Sequence, residues 1–363
     1  MKLAVFLPNW VGDVVMATPA LRALREHFRN ATIYGVMKPY VADVLAGTDL
    51  IDEAIFDDRR GWSRGVFPLA RRLRLESIDL AILFTNSFRT AFVSRLGKCR
   101  QRVGYHRDGR GWLLTDALKP IVDPKGRFQP SPIIDAYNVL SERAGTPKPG
   151  YQMELGTLPE DEHQADHVWR TFDKSIHRPV IALNPGAAFG SAKQWPAHHF
   201  ARLARLLVDQ MDAQVLVLCG PKERDLAQII VQQTDRNDVH SLAQEKMTLG
   251  LTKACIRRSD LLITTDSGPR HFAAAFNRPV VSLFGPTHIE WTETYYARAI
   301  HLQHRLPCGP CQQRVCPLRG ADHHRCMEDL MPEEVFSASM KLLNGATALK
   351  LILPPPTPQR RAS

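Results

Sequence analysis

Short strand-like runs alternating with amphipathic helical patterns, the later runs apolar on both faces, constrain this chain more than any other feature. Residues 3–7, 32–37, 80–84 and 102–105 form one series. Residues 180–183, 215–218, 261–264 and 280–283 form a second. A strand with no polar face must be covered on both sides, and a parallel sheet flanked by helices provides that cover. Helical patterns at 20–28, 197–209, 222–233 and 269–276 supply it. The Pro/Gly-rich segment 145–150, GTPKPG, separates the two series. The chain therefore reads as α/β, with two Rossmann-like, doubly wound domains facing across a cleft. Residues 1–155 and 156–345 are the two domains. The proline-rich stretch 346–363 is expected to be a disordered tail. In such sheets ligands bind beyond the carboxyl ends of the strands, where the strand order reverses.

Charge narrows the function classes. Lys and Arg number 47 against 37 Asp and Glu. Residues 59–110 hold 13 of the former and 3 of the latter, which leaves 34 of each elsewhere. This is a neutral chain with one basic zone, unlike a histone or ribosomal protein. No run approaches the roughly 20 apolar residues of a membrane span. The apolar N-terminus stops at Pro8-Asn9 with Asp13 close behind, so it reads as a first strand and not as a signal peptide. A cytoplasmic location follows, with attachment to a membrane surface left open. Seven cysteines in 363 residues are too sparse for a disulfide framework.

Three loops at strand ends carry candidate chemistry. The first, Pro8-Asn9-Trp10-Val11-Gly12-Asp13, places a carboxylate after the first strand and ahead of a helix capped by Thr18 and opened by Pro19. Asp13 reads either as an active-site acid or as a helix cap. Gly12 would let the backbone approach a ligand. No G-x-G-x-x-G is present, which disfavours dinucleotide binding of the dehydrogenase kind. The second loop, 184–196, is NPGAAFGSAKQWP. Its small residues allow N–H groups to face an anion, and Lys193 adds a point charge for a phosphate. A plain loop with a solvated lysine is the alternative. The third loop, 264–275, is TTDSGPRHFAAA. The N–H groups of Ser267, Gly268 and Arg270 suit a diphosphate. Asp266 would repel one, so it reads as orienting the loop or a hydroxyl. His271 faces either the site or the core.

These three motifs, in this order and spacing, resemble the ADP-heptose:lipopolysaccharide heptosyltransferases of glycosyltransferase family 9, nearest their heptosyltransferase II branch. The resemblance spans about residues 1–345. It implies the GT-B fold, with the acceptor on the N-terminal domain and the nucleotide-sugar on the C-terminal one. It also implies an inverting, metal-independent transfer of heptose from ADP-heptose to the lipopolysaccharide inner core, with no cofactor. Asp13 then matches the general base, and Lys193 the cation that stabilises the departing diphosphate. Asp266, Ser267, Gly268 and His271 fall on the donor side. Asn9, Trp10 and Gly12 fall on the acceptor side. Glu223, after a further strand, either accepts the ribose hydroxyls or is an ordinary first-turn acid. Pro269-Arg270 stands where two apolar residues are expected. Arg270 then adds a phosphate contact or marks a different donor.

Cys308-x2-Cys311-x4-Cys316-x9-Cys326 sets four thiols in a loop rich in Pro, Gly, Arg and His. They can hold structural zinc, with His323 or His324 as a substitute ligand, and an iron–sulfur cluster fits less well. The alternative is a reduced loop outside the active site. Two other functions are open: a GT-B transferase with another nucleotide-sugar, and a nucleic-acid-binding module using the 59–110 zone. Against the second, no nucleic-acid-binding signature is present. On the family reading the zone, with Arg59, Arg60, Arg64, Arg71, Arg72 and Arg74, serves docking on an anionic membrane surface. That surface is the cytoplasmic face of the inner membrane.

Overall fold

A computed structural model of the chain describes residues 1–58, 62–172, 178–345 and 349–353. Two compact units are present. One is Met1–Gly156 with Glu290–Thr294, and the other is Thr157–Ile289 with Tyr295–Ser363.

The first unit is built on β1 (Lys2–Phe6), β2 (Thr32–Met37), β3 (Glu53–Phe56), β4 (Leu80–Leu83), β5 (Gln101–Tyr105) and β6 (Asp116–Leu118). The order is β3-β2-β1-β4-β5-β6, and every pairing is parallel. Leu3 of β1 lies opposite Ile33 on one side and Leu80 on the other. This central position buries Leu3 to Phe6 completely or nearly so. Ala4, Phe6, Val36, Leu73 and Leu83 share one core cluster. Each large apolar side chain so buried contributes about 1.5–3 kcal/mol. The edge strands β3 and β6 keep polar or exposed residues, which is why their sequences lack the apolar signal.

The second unit has seven parallel strands. They are β7 (Val180–Asn184), β8 (Gln214–Val217), β9 (Val239–Ser241), β10 (Leu261–Thr265), β11 (Val280–Phe284), β12 (Ala299–His304) and β13 (Leu349–Leu353), ordered β13-β12-β11-β10-β7-β8-β9. The last is a correction. Leu349–Leu353, expected within a disordered tail, pairs in parallel with β12, where its backbone satisfies the edge of that strand and Leu351 and Leu353 are half-buried. The rest of that expected tail, 346–348 and 354–363, lies outside the described residues.

A second correction concerns the first loop. A helix, Val11–Met16, precedes the expected one, which runs Thr18–His27. Thr18 is therefore no cap. Its hydroxyl donates to the Val15 carbonyl and accepts from the Glu154 N–H. Both sheets reverse strand order after their first strand, between β1 and β4 and between β7 and β10. Among the described residues no helix is long and apolar enough to cross a membrane.

Candidate active site

In the first unit the chain leaves β1 through Leu7 and Pro8, both buried, and then exposes Asn9 and Trp10. Trp10 is 51% exposed, and the Asn9 carbonyl accepts from the Tyr40 hydroxyl at 2.6 Å. Gly12 is buried in the first helical turn, not in an open loop as expected. Asp13, half-buried, also lies in that turn, and the turn has no side-chain cap. It acts electrostatically on the buried Tyr137 of the helix Ile133–Arg143. Burial first, and the Asp13 charge second, push that phenol well above its ordinary range. Tyr137 also packs on Phe84, just beyond β4, with ring centroids 4.9 Å apart. Arg110, fully buried, holds the next loop by donating to the Thr85 and Ser87 carbonyls and to Asn86 Oδ1.

In the second unit the reversal point lies where Asn184 ends β7 opposite Thr264 of β10. The Asn184 amide donates to Thr264 Oγ1 at 2.9 Å and to Ser267 Oγ at 3.0 Å, and the two hydroxyls are 3.0 Å apart. Thr265 Oγ1 donates to the Gly186 carbonyl at 2.6 Å. These bonds tie the second and third motif loops into one polar floor.

Beside that floor sits a buried ion cluster. Lys193 Nζ donates to Asp266 Oδ2 at 2.5 Å and to the Asp266 carbonyl at 3.2 Å. Thr287 Oγ1 donates to the same carboxylate oxygen at 2.7 Å, and Arg270 Nη1 lies 3.5 Å from the other. Lys193, Asp266 and Arg270 are 9%, 6% and 3% exposed. Burial alone would raise the Asp266 carboxyl. Lys193 and Arg270 outweigh it and hold the group below the usual carboxylate range. A buried charge left without its partner costs several kcal/mol, so the three groups depend on one another. Lys193 is thus not the solvated lysine of the plain-loop reading. Asp266 orients both the lysine and the Thr287 hydroxyl.

His271 is 3% exposed. Burial, and then Arg270, His301 and Lys193, push its pKa well below the ordinary value, so it is a neutral imidazole. Arg270 is placed against the Phe284 ring, 4.9 Å from its centroid, and against Asp266. It is engaged inside the cluster. The Arg270 N–H bonds the Ser267 carbonyl at 3.3 Å, so one of the three N–H groups expected to face an anion is engaged. Glu223 precedes the helix Arg224–Thr234 without capping it. Its carboxylate accepts from the Gly220 N–H at 2.8 Å. A Cβ on Gly186 would stand 2.6 Å from Glu223 Oε1, so glycine there admits the carboxylate to the β7 end.

Tetrahedral zinc with bonds of about 2.3 Å brings its sulfurs within about 4 Å of each other. Cys308, Cys311, Cys316 and Cys326 are free thiols. They do not form a group of ligand atoms within 4.8 Å of one another; among the described residues His198, His199 and Glu328 do. Burial pushes the Cys326 thiol up to about 12, and the neighbouring Cys311, Cys308 and Cys316 add to this. The four thiols are near enough to act on one another electrostatically, but not drawn to the spacing of a closed tetrahedral set.

Residues 66–321 match Glycosyltransferase family 9 (heptosyltransferase). The chain is 31% identical over 353 residues to the lipooligosaccharide heptosyltransferase 2 of Campylobacter jejuni, covering 95% of this chain and 99% of that one. It belongs to glycosyltransferase family 9. The lipopolysaccharide heptosyltransferase 2 of Escherichia coli is 27% identical over 364 residues, covering 94% and 99%. The solved E. coli ADP-heptose lps heptosyltransferase II superposes with a TM-score of 0.73 at 27% identity, covering 95% and 99%. The chain is a glycosyltransferase, and its two α/β units are those of the GT-B fold.

The structure thus gathers Lys193, Asp266, Ser267, Gly268, His271 and Glu223 in the second unit. Asp13, Asn9, Trp10 and Gly12 belong to the first. Thr287, Asn184 and Thr264 were not singled out as site residues. Thr287 lies just past β11, so the strand-end rule would have found it. Tyr137 was hidden as one apolar position of a helix. Of the basic zone, Arg110, Arg102 and Arg89 are consumed by loop carbonyls and Asp57. Arg64, Arg71 and Arg74 are exposed, and Arg72 pairs with Glu76. Arg59 and Arg60 lie outside the described residues.

Proposed function

We propose that this chain transfers heptose from ADP-heptose to the inner core of lipopolysaccharide, inverting the anomeric carbon and using no metal. The observation that carries this is the buried Lys193–Asp266–Arg270 cluster at the reversal point of the second unit, in a family member whose relatives are named heptosyltransferases. The second unit binds the donor. Ser267 and Gly268 contact the diphosphate, and Glu223 accepts the ribose hydroxyls. The neutral His271 shapes the pocket without adding charge. The first unit takes the acceptor at Asn9, Trp10 and the helix that carries Asp13.

In the transfer an acceptor hydroxyl oxygen bonds to the anomeric carbon as the bond from that carbon to the diphosphate oxygen breaks. ADP leaves with the electron pair, and Lys193 stabilises the charge it gains. The hydroxyl proton passes to the Asp13 carboxylate. An ordinary carboxylate suffices if it acts late, when the hydroxyl has become acidic. The exposed Arg64, Arg71 and Arg74 hold the enzyme on the anionic cytoplasmic face of the inner membrane, at about 1 kcal/mol each. Phe67 and Leu75, on the helix Phe67–Glu76 that carries Arg71 and Arg74, are 54% and 70% exposed and supply apolar contact.

Mass spectrometry of products from ADP-heptose and a truncated lipopolysaccharide core tests the proposal. One added heptose is expected. No product, together with calorimetric preference for UDP or GDP over ADP, would replace the donor.

A further inference from the structure

The turn that presents Lys193 is held from both sides by the cysteine-rich segment. The Ala192 N–H donates to the Arg314 carbonyl at 3.0 Å, and His324 Nε2 lies 3.1 Å from the Ala192 carbonyl. A Cβ on Gly190 would stand 2.3 Å from the Arg314 carbonyl oxygen, so only glycine permits this approach. The segment is itself anchored. Gln312 N–H donates to the Pro286 carbonyl at 2.7 Å, and Met327 and Cys326 pack against Gly285. The segment read as lying outside the active site therefore abuts its central lysine.

The Arg314 side chain stands over the ring of Phe189, with Cζ 5.4 Å from the centroid. Lys193 Nζ stands over the same ring at 4.6 Å. The two cations differ in one respect. Lys193 is buried and half-neutralised by Asp266, whereas Arg314 is exposed and has no acidic partner among the described residues. Lys193, Arg270 and Asp266 together carry one net positive charge, and His271 adds none. A departing nucleoside diphosphate carries at least two negative charges. The cluster is therefore one cation short of the charge it must meet without a metal.

We infer that Arg314 is a second diphosphate-binding residue, carried to the Lys193 turn by the cysteine-rich segment. Its planar guanidinium suits a bidentate grip on phosphate oxygens. Phe189 gives both cations a common apolar wall. This rests on the donor reading above, and the test separates the two.

The experiment is titration calorimetry of ADP against the full-length enzyme and its Arg314→Gln and Arg314→Lys variants, at low and high salt, with thermal melts alongside. The clamp uses the Arg314 backbone carbonyl, so both variants keep it and should melt as the wild type does. Arg314→Gln should weaken ADP binding about 10- to 100-fold, the range for a lost charge-assisted contact. It should also flatten the salt dependence. Arg314→Lys should recover part of the affinity, and kcat/KM for the donor should follow. Wild-type affinity in Arg314→Gln would overturn the inference and leave the donor reading standing. Equal losses in both variants with lowered Tm would show a packing role and overturn it as well. No ADP binding by the wild type would overturn both.

Discussion

The two units reverse strand order at the same topological place, yet they put opposite chemistry there. After β1 the chain enters a six-residue helix, and its acid, Asp13, is half-buried beside a phenol kept protonated by burial and by that same charge. After β7 the corresponding loop delivers a lysine to an aspartate that two cations and a hydroxyl hold ionised. The shared topology selects where a ligand sits. On the proposed function, the side chains decide whether the place takes up a proton or stabilises an anion. Asp266, bound by Lys193, Arg270 and Thr287, is a poor base because protonating it would break that cluster. It is a good scaffold for the same reason.

Substitutions can break this contrast in graded steps. Asp13→Ala should lower heptose transfer about 10²- to 10⁴-fold, the usual worth of a general base. Near-normal turnover would remove Asp13 from that role. Lys193→Ala should lower kcat about 10²- to 10³-fold, as loss of one transition-state charge partner does. Unchanged kinetics would end its assignment. Asp266→Asn leaves Lys193 and Arg270 buried without a counter-charge. The cost is about 3–5 kcal/mol, read as a Tm lowered by about 10 °C. A Tm within 2 or 3 °C of wild type, an order-of-magnitude bound on the same scale, would mean the cluster is not interdependent.

Smaller effects sharpen the picture. Burial pushes His199 down to about 4 from an ordinary value of 6.5. The unfolded chain therefore binds this proton at a higher pH than the folded one. Stability should be full above about pH 6.5 and fall as the pH drops towards about 4. His271 adds to the slope in the same sense. Melts of His199→Gln across that range should show a shallower slope. An unaltered slope would rule His199 out as its source. Dialysis against a chelator should leave the transfer rate unchanged, and a loss restored by added metal would reinstate metal dependence.

How far the sequence could be read follows from the same physics. Central strands announce themselves because both faces are apolar, as in β1, β7 and β10. The edge strands β3, β6 and β9 do not, since one side of each meets solvent. β12 was hidden by the buried His301, Gln303 and His304; Gln303 donates to the Gly285 and Thr287 carbonyls, and His304 Nε2 lies 3.1 Å from Glu334 Oε2. The strand-end rule located all three motif loops. It could not show that Lys193 meets Asp266, because 73 residues separate them and only the β7–β10 pairing brings them together. Nor could it show that the Arg314 carbonyl holds the Lys193 turn. The helix at Val11 escaped notice because its first residue follows Trp10, which offers no capping side chain.

The division of labour between the units is tested most directly by titrating ADP into Asp13→Ala and Lys193→Ala side by side. Asp13→Ala should bind ADP with the wild-type dissociation constant, and Lys193→Ala should bind at least about 10-fold more weakly, as loss of a charged partner implies. Equal weakening in both, or weakening in Asp13→Ala alone, would contradict the assignment of donor binding to the second unit and proton uptake to the first.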